Sequence, residues 1–225
     1  HTALSLLEKD FNVIIFDSLA NSSINSISNL EKLFRNIYPD RIFNLEFIKG
    51  DVRDYKKLSN VFSENLKSGN SIDGIIHFAG LKSVFESFNL ALDYWDVNVN
   101  GTLNLVKVMN LFNCRKLVFS SSASVYGLGT SKKLNEGDDL NPTSPYAYTK
   151  ASIETLLENL CNIKDENWHI ATLRYFNPIG NHDSGFIGEN YLDKPTNLFP
   201  IINKVALGDL DVLKIFGNDW PTEDG

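Results

Sequence analysis

Ser120-Ser121-Ser122-Ala123-Ser124-Val125-Tyr126-Gly127, followed after a polar loop by Ser144-Pro145-Tyr146-Ala147-Tyr148-Thr149-Lys150, decides how the chain folds. An apolar run from Lys116 to Phe119 leads into the first half, which predicts hydroxyls at the exposed end of a buried strand. The second half opens a helix. Pro145 suits a first turn, and Ala151 to Leu160 continues at helical spacing. Tyr146 and Lys150 are four apart and share one helix face, whereas Tyr148 points elsewhere. A strand-end serine, a tyrosine and a lysine one turn beyond it can together move a proton on and off an alcohol.

The chemistry asked of Tyr146 has a size. Free tyrosine titrates near pH ~10, so a base poised near pH 7 needs a shift of about 3 units, or about 4 kcal/mol. One ammonium roughly 5 Å away, at an effective dielectric of about 20, supplies about 3 kcal/mol in favour of phenolate, and a second nearby cation would cover the rest. Ser122 would hold the substrate oxygen. The plainer alternative makes Tyr146 a helix-start aromatic and Lys150 its solvated neighbour; the strand-end serines upstream favour the chemical reading.

Outward from this stretch, strands and helices alternate. Asn12 to Phe16, Leu45 to Ile48, Ile72 to Phe78, the run at Lys116 and His169 to Phe176 read as strands. Between them, helical spacing covers Ile24 to Ile37, a segment capped by Asp54, a long stretch from about Leu90 to Phe112, and the Tyr146 helix; Ala3, Leu6 and Leu7 read as a helix tail. Mostly uninterrupted apolar strands alternating with helices predict an α/β fold: a Rossmann-like doubly wound parallel sheet, with ligands at the carboxyl ends of the strands. After Asn177, prolines and glycines break the pattern. Residues 1–176 are therefore expected to form a nucleotide-binding domain and 177–225 the beginning of a smaller substrate-binding region.

Composition narrows the partners. The 225 residues are 43% hydrophobic and 22% charged, ordinary for a globular protein, and the net charge of −7 argues against nucleic acid or an anionic membrane. No run of about 18 apolar residues predicts a membrane span. Cys114 and Cys161 lack metal-ligand spacing and lie in apolar helical patterns, which predicts core packing, a reducing compartment and no metal site.

Several strand ends carry groups that face two readings. Asp17 is either an acceptor for the hydroxyls of an adenosine ribose or a turn cap, and Asp51 either meets an adenine edge or caps. Phe78-Ala79-Gly80-Leu81-Lys82 puts small residues where backbone can approach a cofactor. His77, inside an apolar strand, reads as a satisfied core histidine rather than a catalytic one. Asn98 and Asn100 interrupt a helical pattern in which asparagine is poor, so one of them is expected to bond backbone at the sheet edge. Arg174 reads equally as an ion pair or a phosphate ligand.

In order along the chain, Gly50-Asp51-Val52-Arg53, His77 to Lys82, Asn98-Val99-Asn100-Gly101-Thr102, Ser120 to Gly127, Tyr146-x-x-x-Lys150, Leu173 to Pro178, Asn197-Leu198 and Ile215 to Gly225 resemble the extended short-chain dehydrogenase/reductase family, in its UDP-glucose 4-epimerase branch. The resemblance implies NAD contacts at Asp17, Asn21, Asp51, Val52, Phe78, Ala79, Gly80, Leu81, Lys82, Asn98, Lys150 and Phe176. It implies Tyr146 as acid/base with Ser122 and Lys150, and UDP-sugar contacts at Ser122, Ser124, Tyr146, Asn177, Asn197 and Leu198. The implied activity is interconversion of UDP-glucose and UDP-galactose by transient oxidation at sugar C4, in galactose metabolism, by a cytoplasmic homodimer. It also implies a first strand and Gly-rich phosphate loop before His1 and further substrate contacts after Gly225, so these residues alone are expected to turn over little. Two other functions fit the fold. A 4,6-dehydratase needs an added acid/base pair beside the serine, where this chain has Ala123 and Ser124. A non-catalytic nucleotide sensor has no use for Ser122, Tyr146 and Lys150 together.

Overall fold

The computed structural model describes residues 1–127, 133–189, 197–215, 217 and 219. Its elements run α1 (Thr2–Leu7), β1 (Val13–Asp17), α2 (Asn25–Ile37), β2 (Leu45–Lys49), α3 (Tyr55–Lys67), β3 (Ile75–His77), α4 (Val84–Ser87) and α5 (Ala91–Tyr94). A π-helical turn (Trp95–Asn100) then leads into α6 (Gly101–Leu111), followed by β4 (Lys116–Ser122), a 3-10 turn (Ala123–Tyr126), α7 (Pro145–Cys161), β5 (His169–Tyr175) and α8 (Leu198–Ala206). The expected alternation is present, and the fold is Rossmann-like, with parallel sheets and flanking helices. Among the described residues the strands form two sheets, β1–β2 and β3–β4–β5, and no strand joins them. The terminal motif from Phe216 onward lies almost wholly outside the described residues.

The chain divides into two compact units, one containing 1–15, 19–47 and the described residues after 177, the other 16–18 and 48–177. The first is built on α1 and α2, whose Leu4, Leu7, Leu30, Leu33 and Phe34 bury together with Val13 and Leu45 against them. The second holds the larger core. Leu58 and Phe62 of α3, Leu105, Val108 and Met109 of α6, Leu117 and Phe119 of β4, and Ile153 and Leu157 of α7 make one cluster. These residues recur at helical spacing on their helices and at alternate positions on β4, so the sequence pattern and the buried faces coincide.

The second unit's sheet sets the site. β4 pairs in parallel with β3, Phe119 opposite His77, and with β5, Ser122 opposite Tyr175. All three strands therefore end on one side, with the serine run at the end of the central strand. Asp54 caps α3 as expected, its carboxylate accepting from Lys57 N at 2.9 Å.

Three expectations are corrected. β3 covers Ile75–His77 rather than Ile72 to Phe78, because Asp73 and Gly74 favour a turn over a strand. The helix from Leu90 to Phe112 is not one regular α-helix: it carries the π-helical turn at Trp95–Asn100. There the Thr102 hydroxyl donates to Asn98 O at 2.5 Å and competes with the regular backbone ladder. Cys114 is buried just after α6, but Cys161, the last residue of α7, is exposed, since the apolar stripe of α7 ends a turn earlier.

Candidate active site

Ser144 starts α7. Its extended backbone leaves the hydroxyl free to accept from Ala147 N at 3.2 Å, and Pro145 occupies the first turn. This cap puts Tyr146 (8% exposed) and Lys150 (5% exposed) on the buried face, while Tyr148 points to solvent. Lys150 Nζ donates to Ser120 O at 2.8 Å and lies 4.9 Å from the Phe119 ring centroid and 5.8 Å from that of Tyr146. Tyr146 lies beside Ser122. Ser122 Oγ also accepts from Ser124 N at 3.2 Å and from the Ser124 hydroxyl at 3.0 Å. Ser122, Ser124, Tyr146 and Lys150 thus come together as the sequence predicts.

The electrostatics differ from expectation in sign. Burial pushes the Tyr146 phenol above its ordinary range, with the Ser122 hydroxyl pulling the other way. Burial also lowers Lys150 to about 8. The protein alone therefore holds Tyr146 as the neutral phenol near pH 7, and an ammonium over its ring does not by itself make it a base. His77 is a core histidine as read: burial, then the Lys150 charge, lowers it to about 3, so the ring is neutral. Its Nε2 lies 2.9 Å from Thr102 Oγ1. Because the one Thr102 proton goes to Asn98 O, that Nε2 is the donor.

Asn98, not Asn100, bonds backbone at the sheet edge. Its Oδ1 accepts from Leu81 N at 2.8 Å, and its Nδ2 donates to Leu81 O and to Thr149 Oγ1, both at 3.1 Å. Thr149 in turn donates to Tyr146 O at 2.6 Å. Gly80, at φ 155°, makes room for this clamp: a Cβ there would come within 2.8 Å of Asn98 Oδ1. With the clamp on one side, Phe78 and Ala79 are exposed on the other, and Lys82 is exposed nearby.

The other predicted positions are more dispersed in role. Asp17 ends β1, its carbonyl accepting from Gly50 N at 2.9 Å. Asp51 is gripped by the Arg53 guanidinium at 3.0 and 2.7 Å, and these bonds hold its carboxyl below the usual range. Arg53 also reaches Asp96 at 2.8 Å. Val52 is a core residue packed against Gly101. Phe176 and Asn177, just past β5, are exposed. Asn21, Asn197 and Leu198 belong to the other unit, with Asn197 directly before α8 and Leu198 exposed in its first turn. Among the described residues no group of His, Cys, Asp or Glu is placed to hold a metal ion, and no helix is long and apolar enough to cross a membrane.

Sequence reading missed Thr149, Tyr94 and Glu154. Tyr94 is fully buried, its ring edge-on to Tyr146 at 6.3 Å, and its hydroxyl donates to Glu86 at 2.7 Å. Glu154 sits one turn beyond Lys150 on the buried face; a carboxylate at that spacing was the available signal. It also decides the open question about Arg174, which forms an ion pair with Glu154 at 2.8 Å.

All of residues 1–225 match the family model described as GDP-mannose 4,6 dehydratase. The chain is 39% identical to a UDP-glucose 4-epimerase of Bacillus subtilis (strain 168), across 100% of this chain and 62% of that protein. It is 43% identical to UDP-glucose 4-epimerase 4 of Oryza sativa subsp. japonica, across 100% of this chain and 58% of that protein. Among solved structures, a UDP-glucose-4-epimerase from Stenotrophomonas maltophila with bound NAD and formylated UDP-arabinopyranose superposes with a TM-score of 0.89 at 37% identity, covering 100% of this chain and 63% of that one. The chain thus spans less than two thirds of the length of these relatives. Matched over its whole length, it belongs to the family described as GDP-mannose 4,6 dehydratase, alongside relatives that carry the name UDP-glucose 4-epimerase.

Proposed function

We propose that this chain carries the catalytic centre of an NAD-dependent isomerase that interconverts UDP-glucose and UDP-galactose by transient oxidation at sugar C4. The observation that carries the reading is the meeting of Ser122, Tyr146 and Lys150 at the end of the central strand. The residues present fit the cofactor. Gly80 lets Asn98 tie the Leu81 backbone from one side while the turn's other side stays open. Lys150 is a buried ammonium with three N–H donors, one of them spent on Ser120 O, which leaves donors for a ribose hydroxyl. Asp17 and Asp51, at the ends of β1 and β2, are acceptors suited to ribose and adenine.

NAD, held at the Gly80–Leu81 turn and by Lys150, would supply the hydride acceptor and donor for sugar C4. The chain's own part is the proton. Ser122, its oxygen already fixed by Ser124, holds the sugar hydroxyl beside the Tyr146 phenol. Tyr146 takes that proton as the carbonyl forms and returns it on reduction; because burial holds the phenol neutral, the phenolate needs Lys150 and an added positive charge beside it. Ser124, Asn177, Asn197 and Leu198 are assigned to the UDP-sugar, Asn21, Val52, Phe78, Ala79, Lys82 and Phe176 to the cofactor, and residues 177–225 to the substrate-binding region. The exposed Phe85 (83%), Phe88 (60%) and Leu92 (85%) on α4, α5 and the turn between them support a second copy covering that face as a homodimer. The setting is galactose metabolism in the cytoplasm.

The family description raises a second reading, dehydration of a nucleotide sugar to a 4-keto-6-deoxy product. Beside Ser122 stand Ala123 and Ser124, and the carboxylate nearest in the network, Glu154, is locked to Arg174. Among the described residues no acid stands beside the serine for elimination, which favours epimerisation. The test is product analysis with UDP-galactose: UDP-glucose supports the reading, and a 4-keto product overturns it.

A further inference from the structure

Three consecutive residues of β4 are each joined to a successive turn of α7. Ser122 lies beside Tyr146, the carbonyl of Ser120 takes Lys150, and the Ser121 hydroxyl donates to the Glu154 carboxylate. Tyr146, Lys150 and Glu154 follow one another at four-residue spacing, so they form one face of the helix. The third rung does no chemistry in the mechanism above, yet it is a carboxylate only 9% exposed. Its partner comes from β5. The Arg174 guanidinium grips both Glu154 oxygens, with Nε 3.2 Å from each and Nη2 2.8 Å from Oε2. The remaining Nη1 donates to the Tyr126 hydroxyl at 2.7 Å and to Glu136 O at 3.0 Å, and the guanidinium lies 4.9 Å from the Tyr126 ring centroid. One ion pair thus ties α7 to β4, β5 and the turn that follows Ser122.

We infer that Glu154 and Arg174 are a positioning pair for the active site: Arg174 fixes the Glu154 carboxylate as the third rung holding α7 on β4 and balances its charge one turn from Lys150. The inference rests on the site assigned above, since it says what keeps the Lys150 ammonium seated beneath Tyr146. The groups around Lys150 are few. From β4 come the Ser120 carbonyl and the Phe119 ring, from β3 the neutral His77, and from its own helix Tyr146, with Glu154 one turn further along. Tyr94 of α5, bonded to Glu86 of α4, faces Tyr146 rather than Lys150. With the pair intact, burial alone shifts Lys150, and Glu154 with Arg174 is the ion pair that starts one helical turn away.

Charge balance has a signature that loose packing lacks. Losing the anion while keeping the Arg174 cation must disfavour the Lys150 ammonium, and losing the cation must favour it. One helical turn is about 5.4 Å, and at an effective dielectric of about 20 an uncompensated charge at that distance moves Lys150 by about two pH units. Simple loosening would instead admit water and raise Lys150 in either variant.

The experiment follows the Lys150 Cε resonance against pH by NMR in the nucleotide-free protein, identified by its absence in Lys150→Met. Glu154→Gln keeps length and the acceptor for Ser121, so it is expected to fold; Lys150 should titrate about two units lower. Arg174→Met should titrate higher, and the double variant should return close to the wild type. A Lys150 titration that is unchanged or raised in Glu154→Gln overturns the proposal. If Arg174→Met fails to fold, Arg174→Lys serves in its place: it retains the charge and should leave Lys150 where it was, and a shift of a full unit there also overturns the proposal. The readout needs no turnover. Absence of epimerase activity alongside these shifts would remove the functional reading and leave the positioning pair standing.

Discussion

Replacing Lys150 with methionine should make the protein more stable. The ammonium is 5% exposed, and burial lowers it from 10.5 to about 8. Keeping it charged in the fold at pH 7 therefore costs about 3 kcal/mol relative to the unfolded chain. Methionine fills nearly the same volume without the charge. Against the gain stands the bond to Ser120 O, worth about 1.5–3 kcal/mol as a charged donor. The net expectation is a stabilisation of about 0–1.5 kcal/mol at pH 7. The pH dependence carries the stronger signature. The folded pKa lies below the unfolded one, so between pH 8 and 10.5 the unfolded state binds more protons. Wild-type stability therefore rises through that window, and the advantage of Lys150→Met shrinks by about 3 kcal/mol across it. Urea unfolding of both proteins at pH 7, 8.5 and 10 reads this directly as paired midpoints. A variant that is less stable than wild type at pH 7, with a difference that stays flat to pH 10, would refute the buried-cation account.

Further outcomes follow from the same geometry. Asn98→Ala leaves the Leu81 amide and carbonyl without their clamp and should cost about 2–4 kcal/mol, measured by denaturant unfolding; a loss below about 0.5 kcal/mol would mean the clamp is not needed. Gly127→Ala asks for a side chain at φ 78° with a Cβ placed 1.9 Å from Asn141 O, so a loss of about 3 kcal/mol or more is expected, and a soluble variant of wild-type stability would contradict it. Leu157→Ala opens the core of the second unit and should cost about 2–5 kcal/mol in the same assay. Tyr146→Phe should lower turnover by about a hundredfold or more while leaving nucleotide affinity within a few-fold, as seen by calorimetry.

How much of this could be read beforehand depended on distance along the chain. The start of α7 was legible because its determinants, Ser144, Pro145 and the Tyr146–Lys150 spacing, lie within one short segment. The end of β4 was legible because an apolar run passes straight into hydroxyls. Asn98 announced itself as an asparagine out of place in a helix, although its partners, Leu81 and Thr149, lie 17 and 51 residues away. The role of Arg174 stayed open because Glu154 is 20 residues distant and nothing local joins them. The sign of the Tyr146 shift was misjudged for a related reason. Distance to Lys150 follows from helix geometry, but burial of the phenol against Tyr94 and β4 depends on packing that no spacing reveals. The π-helical turn was equally hidden, since nothing in the apolar spacing around Trp95 to Asn100 marks a break in the helix.

The central claim is that Ser122, Tyr146 and Lys150 form a reversible oxidation centre acting on UDP-sugars. The protein carrying this chain, purified without added nucleotide and incubated with UDP-galactose, tests it by NMR of the products, run beside Tyr146→Phe. Appearance of UDP-glucose in the wild type, lost in the variant and with NAD released intact on denaturation, is the predicted result. A 4-keto-6-deoxy product, or equal conversion by Tyr146→Phe, would contradict the account.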